Sequence, residues 1–469
     1  MNPARFLVCL FFLSALLPAQ PSPRKPVYVV LWFDTEDYVE PAADDAALRI
    51  ATDLTDRGVR GTFKLVGEKA RVLEARGRTD VIRALSLHGI GYHSNFHSIP
   101  PAPSVYLRRF GFDEGADEFE RREASGVADI RRIFGVTPVC YGQPGSSWAP
   151  QTNLALRRMG IPVYLDSGTH VGIGEQPVWY GGLLYVYSMG HYQVRPNLDA
   201  EGTLETTFRQ FDAAAADLSQ KGGGVISTYF HPTEFVTTEF WDAVNLSHGA
   251  NPERKDWVKP HRRTAEDSER CYRILRAYVD HALKVPGVRF VTAYDLLQLY
   301  QSSAPPRIPQ ADIARHLGRE ITFLRTPAGD LSPADLLQEL LGMDPQTIDG
   351  PLRQGRTTYR PDTIPAPLFA RAKDDVISFI QHNRRLPAEV FVGAEALSLE
   401  DFTATLAARE SGASGPVKVE RGRLATDSYF AKDPAEPFRW PIHPEGFEAP
   451  ELMDMARLQG WTLKPARLR

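Results

Sequence analysis

Apolar positions along the chain fall into two alternating periods. Val27 to Phe33 (Val-Tyr-Val-Val-Leu-Trp-Phe) is an unbroken apolar, β-branched and aromatic run, the pattern of a strand buried on both faces. Residues 44–57 then carry helical spacing, and Gly61-Thr62-Phe63-Lys64-Leu65-Val66-Gly67 returns to a strand. Helices are predicted near 79–87, 117–134, 151–159, 204–220 and 265–283. The strands between them run over 89–93, 138–141, 162–165, 224–230 and 288–292, with an extended stretch at 183–188 and a short helix up to Tyr300. Repeated strand-then-helix units imply an α/β fold with a parallel sheet, and this many of them favour closure into a barrel.

The polar residues are placed by that pattern. Asp34, His93, Gln143, Asp166 and His231 each fall at or just beyond the C-terminal end of a predicted strand. In a barrel those ends meet on one face, where such folds place chemistry. His93 and His97 are four residues apart, so a helical turn or a loop puts both imidazoles within reach of one divalent ion. A carboxylate from Asp34-Thr35-Glu36-Asp37 would complete three protein ligands and leave a fourth position open, as in a hydrolytic rather than a structural site.

Beyond Ser302-Ser303-Ala304-Pro305-Pro306, which reads as a linker, the periodicity changes to short amphipathic helices. The expected organisation is a barrel domain over 27–301 and a separate, mostly helical region over 307–469. A chain of 469 residues is long enough for two domains. With 43% hydrophobic and 24% charged residues it reads as globular, and a formal net charge of −4 argues against a nucleic-acid partner held by bulk electrostatics. At the N-terminus, Arg5 precedes an apolar run from Phe6 to Leu17, followed by Pro18-Ala19-Gln20. That is the form of an export signal over residues 1–20, too short for a comfortable span of about 20 apolar residues. The expectation is an exported, periplasmic or extracellular protein with no stable membrane span after cleavage. Cys140 and Cys271 then remain, too few and too far apart to form a disulfide framework.

Taken in order, the motifs are Phe33-Asp34-Thr35-Glu36-Asp37-Tyr38, His93-Ser94-Asn95-Phe96-His97, a Pro144-Gly145 turn, Tyr164-Leu165-Asp166-Ser167 and Tyr229-Phe230-His231-Pro232. This order resembles the polysaccharide deacetylase family, which shares the NodB homology domain and is carbohydrate esterase family 4-like. It is most similar to the subgroup whose first motif is Asp-x-Glu-Asp-Tyr and whose last is Phe-His-Pro-x-Glu, here Asp34 to Tyr38 and Phe230 to Glu234. The resemblance covers about 27–300. It implies a distorted (β/α)7-type barrel and a secreted hydrolase that removes N-acetyl or O-acetyl groups from a polysaccharide, using water activated at a divalent metal.

By the same resemblance Asp34 is the catalytic base, His93 and His97 are metal ligands and His231 is the acid. The third ligand is open between Glu36 and Asp37, because Thr35 holds the position directly after the base. Gln143, Pro144, Gly145 and Asp166 are expected on the substrate side, with backbone N–H groups near Gly145 available to an oxyanion. Zinc suits two imidazoles and one carboxylate, and cobalt or nickel would also fit. One departure stands out: the family carries an arginine against its catalytic aspartate, and here that position is Gly142. Gln143 beside it brings hydrogen bonds but no charge. The residues also admit a hydrolase of another small amide or ester, or a glycan-binding protein without catalysis on the same fold. Residues 376–407, with the form helix, Leu386-Pro387-Ala388-Glu389-Val390-Phe391-Val392, helix, resemble a cell-wall-binding repeat of the pseudomurein-binding type.

Overall fold

Strand β1 (Val27–Thr35) is buried at every position, as its unbroken apolar run requires. In the computed structural model, which describes residues 25–300, 308–412 and 415–469, this strand is the axis of the main sheet. The expected export signal over 1–20 and the expected linker over 302–306 lie outside the described residues. Along one edge β1 pairs in parallel with β2 (Thr62–Leu65) at its C-terminal half and β9 (Val288–Val291) at its N-terminal half, and along the other edge with β8 (Gly224–Phe230). From β2 the sheet continues in parallel through β3 (Gly89–Tyr92), β4 (Cys140–Tyr141), β5 (Val163–Leu165) and β7 (Leu183–Val186). Strand β6 (Val178–Tyr180) then turns back antiparallel to β7.

The fold is therefore α/β with a curled, mostly parallel sheet, and the seam between its two ends is irregular. The side-chain amide of Gln176 stands in for a missing strand, donating to Val225 O and accepting from Val225 N. Farther along, Val194 N donates to Ser227 O. That broken seam is what distorts the barrel.

The helices cover the outside of the sheet. They are α1 (Ala42–Asp56), α2 (Gly67–Ala75), α3 (Thr79–Leu85), α4 (Pro103–Leu107), α5 (Phe112–Phe134), α6 (Thr152–Arg158), α7 (Leu204–Gln220), α8 (Trp241–Leu246), α9 (Ala265–Ala282) and α10 (Ala293–Tyr300). Their apolar faces follow helical spacing. In α5, Phe112, Ala116, Phe119, Val127, Ile130 and Phe134 form one buried stripe, and Gly135 at φ 72° ends the helix in the left-handed conformation that glycine adopts without strain. Thr264 caps α9 by accepting from Asp267 N. Cys140 and Cys271 are free and buried. No helix among the described residues is long and apolar enough to cross a membrane.

In the C-terminal region, where helices outnumber small strand pairs, a fold unit of helix, hairpin and helix occurs twice in tandem. The first copy runs through Gln310–His316, the pair Leu324–Thr326 and Gly329–Leu331, and Pro333–Leu340. The second runs through Ala366–Asn383, the pair Glu389–Val392 and Glu395–Ser398, and Leu399–Glu410. The second helix of each copy opens on the same cap, Ser332 accepting from Asp335 N and Ser398 from Asp401 N. These units share a core of their own that includes Leu337, Phe369, Phe402 and Trp461. The last part of the region also packs on the barrel. Phe430, Phe438, Leu452, Met453, Ala456 and Leu463 pack into the barrel's core, and Lys464–Pro465 pairs with β6 as the edge of the main sheet.

Candidate metal and catalytic site

Five strand ends and one loop deliver the site. Asp34 lies near the end of β1, while His93, Asp166 and His231 follow directly after β3, β5 and β8, and Gln143 stands two residues past β4. The loop after β3 is strained: Ser94 and His97 have φ of 64° and 58°, a region non-glycine residues seldom adopt and one that recurs at functional sites. The backbone of His97 is tied back by a hydrogen bond from its N–H to Ser94 Oγ. The result is a loop rather than a helical turn, and it brings the two imidazoles together.

The hydrogen bonds around each ring fix its tautomer. His93 Nδ1–H donates to Gly142 O at 3.0 Å, leaving Nε2 with its lone pair. Ser98 donates its hydroxyl to Asp242 Oδ2 at 2.7 Å, so Ser98 Oγ accepts from His97 Nδ1 at 2.7 Å, and His97 Nε2 is left in the same state. The two Nε2 atoms are 3.1 Å apart, and Glu36 Oε2 lies 3.3 Å from one and 2.8 Å from the other. Three acceptors thus converge on one point, all buried and within 4.8 Å of one another. Only a shared cation or proton satisfies such a set, which is the donor chemistry of a divalent metal site.

Protonation agrees with that reading. Burial, with Lys64 and the neighbouring histidines adding to it, drives His93 well below the ordinary histidine range, so it is neutral as a ligand must be. Burial raises Glu36 as well. Burial opposes charge on His97, but Glu36 beside it outweighs that and lifts the imidazole, so the pair holds a proton that a divalent ion would displace.

Asp37, the other carboxylate open from the sequence, is excluded by its contacts. Its Oδ1 accepts from Val39 N and Glu40 N, both at 2.9 Å, and its Oδ2 accepts from Thr233 Oγ1 at 2.7 Å. It pins the loop after β1 and faces away from the histidines.

Asp34 and His231 meet on the other side of the trio. His231 Nε2 lies 3.6 Å from Asp34 Oδ2, while its Nδ1 donates to Glu234 Oε2 at 2.9 Å. Arg195 pairs with the other oxygen of Glu234. Burial resists charge on Glu234, but Arg195 and His231 outweigh it and hold the carboxyl down at about 2. Burial also opposes charge on His231, yet Glu234 prevails and the imidazole is raised to about 9. His231 is therefore a protonated acid at neutral pH, with its free N–H toward Asp34.

These groups line one cavity of about 340 Å³, together with Gln143, Gly145, Ser146, Asp166, Phe240, Arg439 and Trp440. Pro144, expected here, is not on the lining; its carbonyl accepts from Ser147 N and shapes the turn. Gln143 donates to Tyr187 OH at 3.4 Å, and its Oε1 is buried without a partner. Trp440 arrives from the far end of the chain. Its indole donates to Asp242 Oδ2 at 3.0 Å and packs over Gly145, where a Cβ would strike the ring. Asp242 thus joins the roof of the cavity to the loop that carries His97.

The residue the sequence reading overlooked is Lys64. It is fully buried, donates to Leu165 O and Asp166 Oδ2 at 2.8 Å each, and sits 2.8 Å from Asp34 Oδ1. The approach to Asp34 is at ion-pair distance but off a hydrogen-bond axis, so Oδ1 keeps an acceptor free. Burial works against the ammonium, but Asp166 and Asp34 outweigh it and raise its pKa. Burial, reinforced by Asp34, lifts Asp166 to about 7 despite the lysine. A lysine inside a strand buried on both faces was the signal available in the sequence. Arg195, Asp242 and Trp440 left none, since only the fold brings them here.

No family model matches the chain, and no curated protein does either. Solved structures of polysaccharide deacetylases match about 60% of it at low identity. One, from Mycobacterium smegmatis, is 16% identical over 62% of this chain and 98% of its own, with a TM-score of 0.37. A family 4 acetyl xylan esterase from Clostridium thermocellum, solved with a cobalt ion, is 18% identical over 59% and 93%, with a TM-score of 0.29. Puue allantoinase is 12% identical over 62% and 96%, with a TM-score of 0.41. The chemistry of the site rests on its own geometry.

Proposed function

We propose that the protein is a metal-dependent hydrolase that removes acetyl groups, chiefly from the nitrogen of an acetylated amino sugar in a glycan, and that it acts after export. The observation that carries this reading is the convergence, on one cavity, of a three-acceptor metal trio with a carboxylate base and a protonated imidazole acid.

A divalent ion held by Glu36, His93 and His97, with zinc the natural candidate, would supply Lewis acidity, polarising the acyl carbonyl and acidifying water at the site. Asp34 takes the proton of the attacking water as the water oxygen bonds to the carbonyl carbon. Gly145 and Ser146 line the cavity, and their backbone N–H groups are the candidates to meet the oxygen that gains charge. His231 then passes its Nε2 proton to the leaving nitrogen as the C–N bond breaks, giving acetate and a free amine. Glu234 and Arg195 keep that imidazole charged and oriented until it does so.

A compact substrate, such as a chain end or a small acetylated amide, is favoured by one further observation. Trp440, Phe240 and Arg439 are part of the lining of the cavity of about 340 Å³, a volume that suits a small acyl-bearing unit. The test is acetate release by zinc-loaded protein from N-acetylglucosamine monomer, dimer and longer oligomers. Release is expected, and fastest on the short members. Fully metallated protein that frees no acetate from any acetylated amine would overturn the reading.

A further inference from the structure

The cation missing at position 142 enters from the next strand. In the parallel register of β1 and β2, Asp34 stands directly beside Lys64, and in that of β2 and β3, Lys64 stands beside Gly91. A Cβ on Gly91 would press to 2.5 Å from Cys140 Sγ and 2.8 Å from Lys64 Cγ, so the missing side chain makes room for both the cysteine and the lysine stem. A Cβ on Gly142 would overlap Lys64 Nζ and Asp166 Oδ2 and lie 2.9 Å from Leu165 O, so the second glycine makes room for the ammonium. The head group also rests 4.1 Å from the centre of the Trp32 ring.

This arrangement is a poor device for stability alone. An ion inside a barrel loses its hydration, and a well-packed apolar residue in its place is often neutral or stabilising. Two carboxylates share the one ammonium, and both line the reacting cavity.

We propose that Lys64 is the positioning residue of the catalytic base, holding Asp34 toward the cavity and supplying the positive charge behind it. Glycine at 142, where a Cβ would also meet Asp166 Oδ2 and Leu165 O, leaves the space into which that cation reaches from position 64. This role of Lys64 rests on the reading of Asp34 as the base.

The test compares zinc-loaded variants on two substrates, an N-acetylglucosamine oligomer and 4-nitrophenyl acetate, with bound zinc measured in each sample. Lys64→Met is expected to lower kcat about 10- to 100-fold, as loss of an orienting partner does, with bound zinc and KM within about twofold of wild type. The relocated pair Lys64→Ala/Gly142→Arg is expected to regain about tenfold or more of that loss. A merely structural lysine predicts no such rescue of kcat. Where Lys64→Met does not fold, Lys64→Met/Asp166→Asn removes the surplus buried charge and takes its place, with the same expected loss relative to Asp166→Asn alone. Wild-type kcat in a folded, metallated variant lacking Lys64 overturns the proposal, and so does a folded, metallated relocated pair no faster than Lys64→Met. Wild type that cleaves the ester but no acetylated amine refutes the substrate reading and leaves Lys64 to be judged on the ester. Metallated wild type that cleaves neither shows that Asp34 is no base, and the proposal falls with it.

Discussion

Glu36 and Asp37 are neighbours in sequence with opposite duties. Glu36 turns its carboxylate to the two imidazoles, and Asp37 spends both oxygens on backbone N–H groups and Thr233. Glu36→Gln is therefore expected to abolish stoichiometric zinc binding with little change in melting temperature. Asp37→Asn should keep zinc and cost about 1–3 kcal/mol of stability, the worth of hydrogen bonds to a buried charge. Calorimetric melts paired with metal content distinguish the two, and the reverse pattern would make Asp37 the ligand. His231 carries a sign that can be checked. Its pKa is raised to about 9, so the acid is present at neutral pH and kcat falls as pH climbs through that value. Glu234→Gln removes the charge that opposes burial, so the alkaline limb of the pH–kcat profile should move to lower pH; an unmoved limb would remove Glu234 from the mechanism. At this scale the sequence was legible wherever a residue type announced its chemistry. The structure brings Asp34, His93, His97 and His231, singled out in the sequence by type and spacing, to one cavity, whereas Lys64 was passed over because its strand was recognised by apolar content.

At the scale of elements, strands and long helices follow from local periodicity, and the structure places them within a few residues of the expected bounds. Helices α7 and α9 were readable because their buried faces repeat over many turns. Helix α2 was not: it is nine residues long, and one of its four buried positions is Lys69, which bonds Asp37 O and Asp44. The tandem of helix, hairpin and helix escaped notice because its copies share capping and pairing geometry more than residue identity. Helix α8 contributes Asp242, which binds both Ser98 and the Trp440 indole. Trp440→Ala removes that donor and a wall of the cavity. KM for an acetylated disaccharide should rise about 3- to 10-fold, the worth of one hydrogen bond and a ring contact. An unchanged KM would show that the substrate does not reach this wall.

The whole molecule is tied together in a way no local pattern records. The chain leaves the barrel, builds the tandem units, and returns to supply core residues, a sheet edge and the roof of the cavity. Contacts between residues hundreds of positions apart leave no periodic mark, so the sequence suggested a separable C-terminal region. Deleting 427–469 is accordingly expected to leave the barrel poorly soluble or markedly lower in melting temperature. A truncated protein as stable and active as the full chain would show that the return is dispensable. The account as a whole stands on the trio of Glu36, His93 and His97. The most direct measurement is metal content of the purified, zinc-equilibrated protein beside a His97→Ala control of matched folding. The account predicts close to one zinc per wild-type chain and none in the control; wild type without zinc, or a control that keeps it, would contradict the central claim.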